Sequence, residues 1–259
     1  MVKVFGKLQI IMETIIIRLA EINIGITCIH QDTRRMCRDY LTNEAPEVTI
    51  ETSFEDISFE RKKSDREREL EGLLPQSYSD GYLETLAVYR KVAENLLKYN
   101  ILLFHGSVVS VDKEGYLFTA RSGMGKSTHT RLWREKFGDR AVMINDDKPL
   151  LKITENGIIA YGTPWDGKHH LSTNISVPLK SICILKRDNV NHIRQIDKKE
   201  AYSMLVQQAY RPSQALEMTR ALNLLDNIFD KVPLYELFCN MDLEAANVSY
   251  EGMCQKKKN

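Results

Sequence analysis

The sequence predicts a mixed α/β fold, and three of its features favour that class. Short runs of β-branched residues alternate along the chain with helical stripes of apolar residues. Near the middle, a glycine-rich loop stands between a predicted strand and a predicted helix. Apolar residues make up 43% and charged residues 27% of the 259 positions, which is typical of globular proteins and excludes intrinsic disorder or a collagen-like chain.

The charge balance and the cysteines restrict what the protein can bind. There are 36 Lys and Arg against 35 Asp and Glu, a formal net charge of +1. This balance predicts no nucleic-acid partner, because such a partner requires a strongly basic chain or patch. The five cysteines are odd in number and include no CxxC pair, which favours free thiols in a reducing cytosol over disulfides or a zinc site.

Residues 8–20 are apolar enough to raise the question of a membrane segment. They include Glu13 and Arg18, and as a helix they would span only about 20 Å of the roughly 30 Å hydrocarbon core. Their isoleucine-rich composition favours a buried strand instead. We therefore expect a soluble, cytoplasmic protein that does not bind membranes.

Residues 1–75 are predicted to form a small β-rich N-terminal part, in which residues 1–11 could be an extension before a second start site at Met12. A short helix is predicted over residues 32–41. The dense mixed-charge run over residues 61–71 predicts either an exposed helix or a mobile connection. The predicted strands cover residues 14–17, 22–26 and 48–52.

Residues 80–259 are predicted to form a second, larger domain. It begins with a helix that starts at Asp80 and stops at Asn100, because the apolar residues between them lie on one face. The predicted strands after this helix cover residues 101–104, 107–111, 116–119, 142–144, 150–153, 157–161 and 181–185. The C-terminal tail is predicted to be helical, over residues 199–208, 213–232 and 243–253.

The most informative pattern is Ala120–Thr128, which matches a phosphate-binding loop before a helix predicted over residues 126–137. Its glycines let successive backbone N–H groups face a phosphate chain, and the helix start adds its positive dipole end. Ala120 replaces the usual first glycine, and a methyl group is acceptable there if the backbone is extended. The alternative is a glycine-rich turn that merely caps a helix. The residues predicted to bind nucleotide are Ser122, Gly123, Met124, Gly125, Lys126, Ser127 and Thr128.

Charged and hydroxyl side chains in and after this loop suit phosphate chemistry. Lys126 can reach the β- and γ-phosphates, and the Ser127 hydroxyl can bind Mg²⁺. Asp146 and Asp147 end a predicted strand, where two adjacent acids point in different directions. One can hold Mg²⁺ and the other can accept a proton from an attacking hydroxyl. Without the loop, a turn or a helix cap would explain this acidic pair better.

Three further basic residues are candidates for the same site. His105 ends a predicted strand, although a lone histidine is more often structural. Lys168 lies in the polar loop 161–170 and could contact a transferring phosphate, whereas the two histidines after it are expected to be solvated or structural. Arg211 precedes a proline at a helix break, which can point a side chain into a site, but a surface arginine at a turn is the favoured interpretation.

Taken together, the His-Gly pair at 105–106, the loop that begins 15 residues after the histidine and the following Asp-Asp resemble the catalytic domain of the HPr serine kinase/phosphorylase family. The strings LLFHGSVVSVD, LFTARSGMGKSTHTRLW and GDRAVMINDDKPLL resemble a group of uncharacterised bacterial HPr-kinase-like proteins. The resemblance covers roughly residues 100–190. It implies a phosphoenolpyruvate-carboxykinase-like fold of the phosphate-binding-loop class, here with a small β-rich N-terminal part and a helical C-terminal tail.

The resemblance also implies roles for individual residues. Lys126 and Ser127 would bind the nucleotide phosphates and Mg²⁺. Asp146 would be the catalytic base on the acceptor hydroxyl and Asp147 the metal-side acid, although these two could be exchanged. His105 would line the phosphate site near Asp146. The first hundred residues do not resemble the N-terminal domain of that family, so HPr itself is not the expected acceptor.

Two functions follow from these patterns. The leading one is transfer of the γ-phosphoryl group of ATP, or another nucleoside triphosphate, to a hydroxyl with the help of Mg²⁺. The acceptor would be a serine of a peptide or protein, or a small molecule. The alternative is a nucleotide-binding regulatory module without an acceptor, in which nucleotide occupancy changes a partner surface. The sequence leaves the oligomeric state open, including a homo-oligomer.

Overall fold

The elements of the structure group into two units, residues 1–95 and 96–259, each held together by its own contacts. The domain bounds predicted from the sequence, 1–75 and 80–259, stay a prediction. Ser122, predicted to bind nucleotide, lies outside the described residues. The computed structural model describes residues 2–5, 8–70, 72–121 and 123–254, with side chains from residue 12 onward.

The first unit contains the short strands that its β-branched runs predict. These strands are β1 (Val2–Phe5), β2 (Leu8–Ile11), β3 (Glu13–Leu19), β4 (Ile22–Cys28) and β5 (Val48–Glu51). β1 and β2 form an antiparallel hairpin. The other three form a sheet in which β4 is antiparallel to β3 and parallel to β5. Residues 8–20 are thus strand rather than helix, as predicted, but they form two strands, β2 and β3, instead of one.

Three helices complete the description of the first unit: α1 (Asp32–Met36), α2 (Phe54–Leu70) and α3 (Asp80–Leu96), the last of which ends just past the unit boundary. α1 is shorter than predicted, because a separate 3₁₀ turn follows it. Residues 61–70 of the mixed-charge run lie on α2 and are mostly exposed, so of the two predicted alternatives the exposed helix is confirmed there, and Glu71 lies outside the described residues. Among the described residues, no helix is both long and apolar enough to cross a membrane.

The second unit is built on a nine-stranded mixed sheet. Its main path has the order β6-β10-β11-β12-β8-β7-β9, and β14 pairs with both β12 and β13. The strands are β6 (Ile101–Leu103), β7 (Ser107–Val111), β8 (Glu114–Thr119), β9 (Ala141–Asn145), β10 (Leu150–Thr154), β11 (Gly157–Tyr161), β12 (Ser176–Arg187), β13 (His192–Ile196) and β14 (Leu234–Cys239). The helices are α4 (Lys126–Phe137), α5 (Lys198–Gln208), α6 (Ala215–Lys231) and α7 (Glu244–Cys254).

The C-terminal tail is not purely helical, and this part of the prediction is wrong. The three predicted helices are present, but β14 stands between the second and the third, and β13 lies just before the first. β14 pairs in parallel with β12 over six residues and is largely buried, and it follows Pro233 just after α6 ends. Six residues are too few to show a period, so such a segment becomes a strand only through the neighbours that pair with it.

The core of the second unit covers both faces of its sheet. Because successive side chains on a strand point to opposite faces, Val108 and Leu117 enter one cluster while Val109 and Phe118 enter the other. The covering helices contribute Leu205, Leu225 and Ile228 to the first cluster and Trp133, Ala245 and Met253 to the second.

The order of the strands brings three loops to one edge of this sheet. β7 lies between β8 and β9 and is antiparallel to both. The start of β7 therefore lies at the same edge as the ends of β8 and β9. His105 precedes β7, the glycine-rich loop follows β8, and Asp146 and Asp147 follow β9. The candidate site is assembled at this edge.

Candidate phosphoryl-transfer site

The glycine-rich loop joins β8 to α4, as the sequence predicts. Gly123 and Gly125 have φ angles of +74° and +103°, a region that favours glycine. A Cβ at Gly123 would meet nothing within 4 Å, so the backbone conformation rather than crowding requires the glycine. Ala120 is fully buried, so its methyl group is accommodated in the packed structure.

The start of α4 is open to a negatively charged ligand. Gly125 is the N-cap residue and supplies no side-chain hydrogen bond to the helix. The N–H groups of the first helical turn have no partner within a helix, and they carry the positive end of its dipole. Lys126 lies at this end, and its Nζ donates a 3.3 Å hydrogen bond to the Ala120 carbonyl oxygen. Burial lowers the pKa of Lys126, aided by the charge of Lys148, although both nearby aspartates oppose this shift.

Asp146 is held by two serine hydroxyls. The register pairs Val108 with Asn145, which places Ser107 beside Asp146. The Ser107 hydroxyl lies 2.9 Å from both Oδ1 and the backbone carbonyl oxygen of Asp146. Burial raises the pKa of Asp146, and hydrogen bonds from the Ser107 and Ser127 hydroxyls oppose that rise. Ser127 of the loop thus contacts the first acid of the pair.

Asp147 has different partners from those of Asp146. His105 Nε2 and Lys148 Nζ each lie 3.3 Å from Asp147 Oδ1. Burial alone would raise the pKa of Asp147, but the hydrogen bond from His105 and the charge of Lys148 outweigh it, so the pKa is lowered. Burial lowers the pKa of His105, so its ring is neutral at pH 7. The two acids therefore meet separate groups, which the sequence could predict only in outline.

Asn145 fixes the turn that carries both acids. Its buried Oδ1 accepts hydrogen bonds from the backbone N–H groups of Asp147, at 2.9 Å, and of Lys148, at 2.6 Å. Its Nδ2 donates to the Thr163 carbonyl oxygen at 3.0 Å. The amide thus connects the end of β9 to the polar loop after β11. No role was predicted for Asn145, Ser107 or Lys148, although all three adjoin predicted site residues or the His-Gly pair at 105–106.

The polar loop after β11 places its tip against Asp147. Gly167 has a φ of +71°, and a Cβ there would lie 3.2 Å from the Cβ of Asp147. Lys168 and His169 follow it, and both are exposed. The Nδ1 of His170 instead lies 3.2 Å from Asp166, which also accepts a hydrogen bond from Ser172. The two adjacent histidines thus have different surroundings.

These groups meet around one cavity of about 570 Å³. Met124 instead lines a neighbouring cavity, and Arg211 is exposed and absent from the residues that line the first one. The segment before Arg211 does run beside the site, since the backbone of His105 donates to the Gln208 carbonyl oxygen at 2.7 Å. The cavity is lined by His105, Gly123, Gly125, Lys126, Ser127, Thr128, Asp146, Asp147, Gly167, Lys168 and His169.

The donor set of this cavity fits Mg²⁺ rather than a metal held by protein alone. Within the described ranges, no group of three or more His, Cys, Asp or Glu side chains could hold a metal ion. Ser127 and Asp146 offer a hydroxyl and a carboxylate that contact each other. Mg²⁺ prefers such oxygen ligands and usually completes its shell with substrate phosphates and water.

The comparisons with known proteins give only a distant similarity. No protein-family model matches the chain, and a search of curated proteins found no match. Among solved structures, the chain is similar to the HPr(Ser) kinase/phosphatase from Coxiella burnetii, with 12% sequence identity and a TM-score of 0.35. The similarity covers 57% of this chain and 94% of that chain. At this distance it assigns neither a family nor an activity.

Proposed function

We propose that the protein is a Mg²⁺-dependent kinase that transfers the γ-phosphoryl group of ATP to a hydroxyl of a peptide, a protein or a small molecule. One observation carries this proposal: the phosphate-type loop and two carboxylates with separate partners line the same cavity. A site that only bound nucleotide would need the loop, whereas phosphoryl transfer also needs a group to orient the acceptor hydroxyl and take its proton.

The loop and the start of α4 would bind the nucleotide phosphates. Gly123 and Gly125 let backbone N–H groups face the phosphates, and Lys126 adds a positive charge. Ser127 and one of the acids would hold Mg²⁺, which neutralises charge on the β- and γ-phosphates when bound. Lys168, an exposed residue that lines the same cavity, would contact the phosphoryl group as it moves.

The contacts favour the reverse of the roles that the family resemblance implies for Asp146 and Asp147. Ser127 hydrogen-bonds to Asp146, which supports Asp146 as the metal-side acid. That leaves Asp147, whose ionised carboxylate lines the same cavity, to accept the proton of the acceptor hydroxyl. In the transfer, the acceptor oxygen forms a bond to the γ-phosphorus and the bond to the β–γ bridging oxygen breaks. The hydroxyl proton passes to Asp147, and ADP leaves.

Two substitutions with γ-labelled ATP test this assignment. Asp147→Asn is expected to lower transfer by about a hundredfold or more, because a general base contributes 10²–10⁴ in rate, while ATP binding remains. Asp146→Asn is expected to raise the Mg²⁺ concentration needed for half-maximal transfer. Asp139→Asn, an exposed acid just after α4, is the matched control and should leave transfer unchanged.

The possible results separate the assignments. If Asp146→Asn abolishes transfer while Mg²⁺ dependence changes only in Asp147→Asn, Asp146 is the base. If neither variant affects transfer, the acids have no part in the reaction. ATP binding or slow hydrolysis without any phosphorylated product would instead support a nucleotide-binding regulatory module.

A further inference from the structure

A second cavity, of about 790 Å³, adjoins the proposed transfer site. It shares Gly123, Gly125 and Thr128 with the first cavity, so both cavities border the glycine-rich loop. It lies where the parallel strands β8, β12 and β14 end, the edge at which open α/β sheets bind ligands. Leu185 of β12 and Cys239 of β14 line it.

The walls of this cavity combine apolar surface with a polar rim. Met124, Leu132 and Leu185 contribute apolar side chains, and Asn189 and Asn240 contribute amides. Apolar walls with a few polar groups are the usual lining of sites that bind small molecules and cofactors. The Nη2 of Arg187, a further lining residue, donates to the Gly123 carbonyl oxygen, so this wall is tied to the phosphate loop.

His129 is the lining residue with an unmet hydrogen-bonding need. It follows the loop on α4 and is 2% exposed. Its Nε2 lies 3.1 Å from both Trp133 Nε1 and Ser249 Oγ, whereas its Nδ1 has no hydrogen-bond partner within the described part of the chain. Burial lowers the pKa of His129 to about 3, so the ring is neutral. Since Nε2 accepts a hydrogen bond from the Trp133 N–H, Nδ1 carries the proton and is a donor. A buried polar atom without a partner is costly, which indicates that a ligand supplies one.

We propose that this second cavity binds the nucleoside of the triphosphate, with the base against Met124 and Leu132 and in hydrogen-bond contact with His129 Nδ1. The inference rests on the proposed function, because it takes the loop as the site of the phosphates. A nucleoside linked to a phosphate chain requires two cavities that border the same loop, as these do. His129 then determines which nucleoside binds, and Lys126 and Ser127 act on the phosphates alone.

Calorimetric titrations with Mg-ATP and with Mg-tripolyphosphate test the two parts separately. ATP is expected to bind at least tenfold more tightly than tripolyphosphate, which lacks the nucleoside. His129→Phe should weaken ATP about fivefold, the effect of one hydrogen bond, and change tripolyphosphate less than twofold. This variant is expected to fold, because the Trp133 N–H keeps a 2.8 Å hydrogen bond to Ser249. His192→Phe, on the exposed strand β13, is the control.

Alkylation of Cys239 gives a second measurement that needs no substitution at His129. Cys239 lines the cavity and is half-buried, and burial raises the pKa of its thiol to about 11, so the reaction is followed at pH 9 by peptide mass spectrometry. ATP should slow its alkylation more than fivefold, and tripolyphosphate should not. Cys254 lines a different cavity and is the internal control. Its rate of alkylation should be the same with ATP, with tripolyphosphate and without a ligand.

Different results would contradict the proposed kinase function and the proposed nucleoside site. If neither ATP nor tripolyphosphate binds, the proposed function is wrong. If both bind with equal affinity, or if His129→Phe weakens both equally, the phosphates are bound but the nucleoside does not occupy this cavity. Equal protection of Cys239 by the two ligands would likewise overturn the inference.

Discussion

Asp146 and Asp147 are neighbours in the chain, yet their pKa values shift in opposite directions. Burial raises that of Asp146, whereas His105 and Lys148 outweigh burial at Asp147 and lower it. The sequence could predict that two acids at a strand end separate, because that follows from local geometry. It could not predict the serine hydroxyl beside the first acid, because that contact depends on the register of β7 against β9.

His105→Ala is expected to raise the pKa of Asp147. The hydrogen bond from His105 is the strongest effect that lowers this pKa, and burial, which raises it, would remain. Since ionised Asp147 accepts the proton in the proposed reaction, the acid limb of the transfer rate should move to higher pH. Carboxyl-carbon NMR measures the titration of Asp147 directly.

His170→Ala is the matched control, because it removes a histidine from a different carboxylate, that of Asp166. The acid limb should stay in place in this variant. An Asp147 titration that is the same with and without His105 would contradict the assigned contact.

At the scale of elements, the strand–loop–helix at the centre of the site was predictable from the sequence. The helix was predicted over 126–137 and occupies that range, because the glycine-rich pattern that precedes it is a local property of the sequence. The approach of the 161–170 loop to Asp147 was not predictable in the same way. It arises from hydrogen bonds of Asn145 to Thr163 and from the missing side chain of Gly167.

Gly125→Ala is expected to weaken phosphate binding. It is also expected to lower the free energy of unfolding by about 1–3 kcal/mol. Its φ of +103° is unfavourable for alanine, and relief of that strain would turn the first N–H groups of α4 away from the cavity. Tripolyphosphate titration and urea unfolding measure the two effects.

Gly138→Ala provides the control at the other end of the same helix, where φ is +52°. It should lose a similar amount of stability and keep its affinity for tripolyphosphate. Loss of binding in both variants, or in neither, would show that the loop conformation is not what binds phosphate.

At the scale of the whole molecule, the sequence predicted mixed α and β structure but not every strand. β14 is a six-residue segment that is too short to show a period, and its pairing with β12 is what makes it a strand among the helices of the tail. The stability of the first unit likewise depends on a contact between residues that are far apart in the sequence. Glu84 of α3 is fully buried and accepts hydrogen bonds from the backbone N–H groups of Ile29, at 2.7 Å, and His30, at 2.8 Å.

Glu84→Ala is expected to destabilise the first unit by about 2–4 kcal/mol, because two buried N–H groups would lose their acceptor. Hydrogen exchange should accelerate at Ile29, at His30 and along β4, while amides of β7 and β8 in the second unit keep their protection. Glu69→Ala, an exposed acid on α2, should change neither. Uniform acceleration across both units would contradict the division of the chain.

The product of the reaction tests the central claim most directly. Phosphorus NMR of the protein with ATP, Mg²⁺ and a pool of serine-containing peptides follows every phosphorus atom at once. We expect ADP and an acid-stable phosphomonoester to grow together, and both to be absent with Lys126→Ala. ADP that appears only with inorganic phosphate, or ATP that is bound and never consumed, would contradict phosphoryl transfer to a peptide hydroxyl.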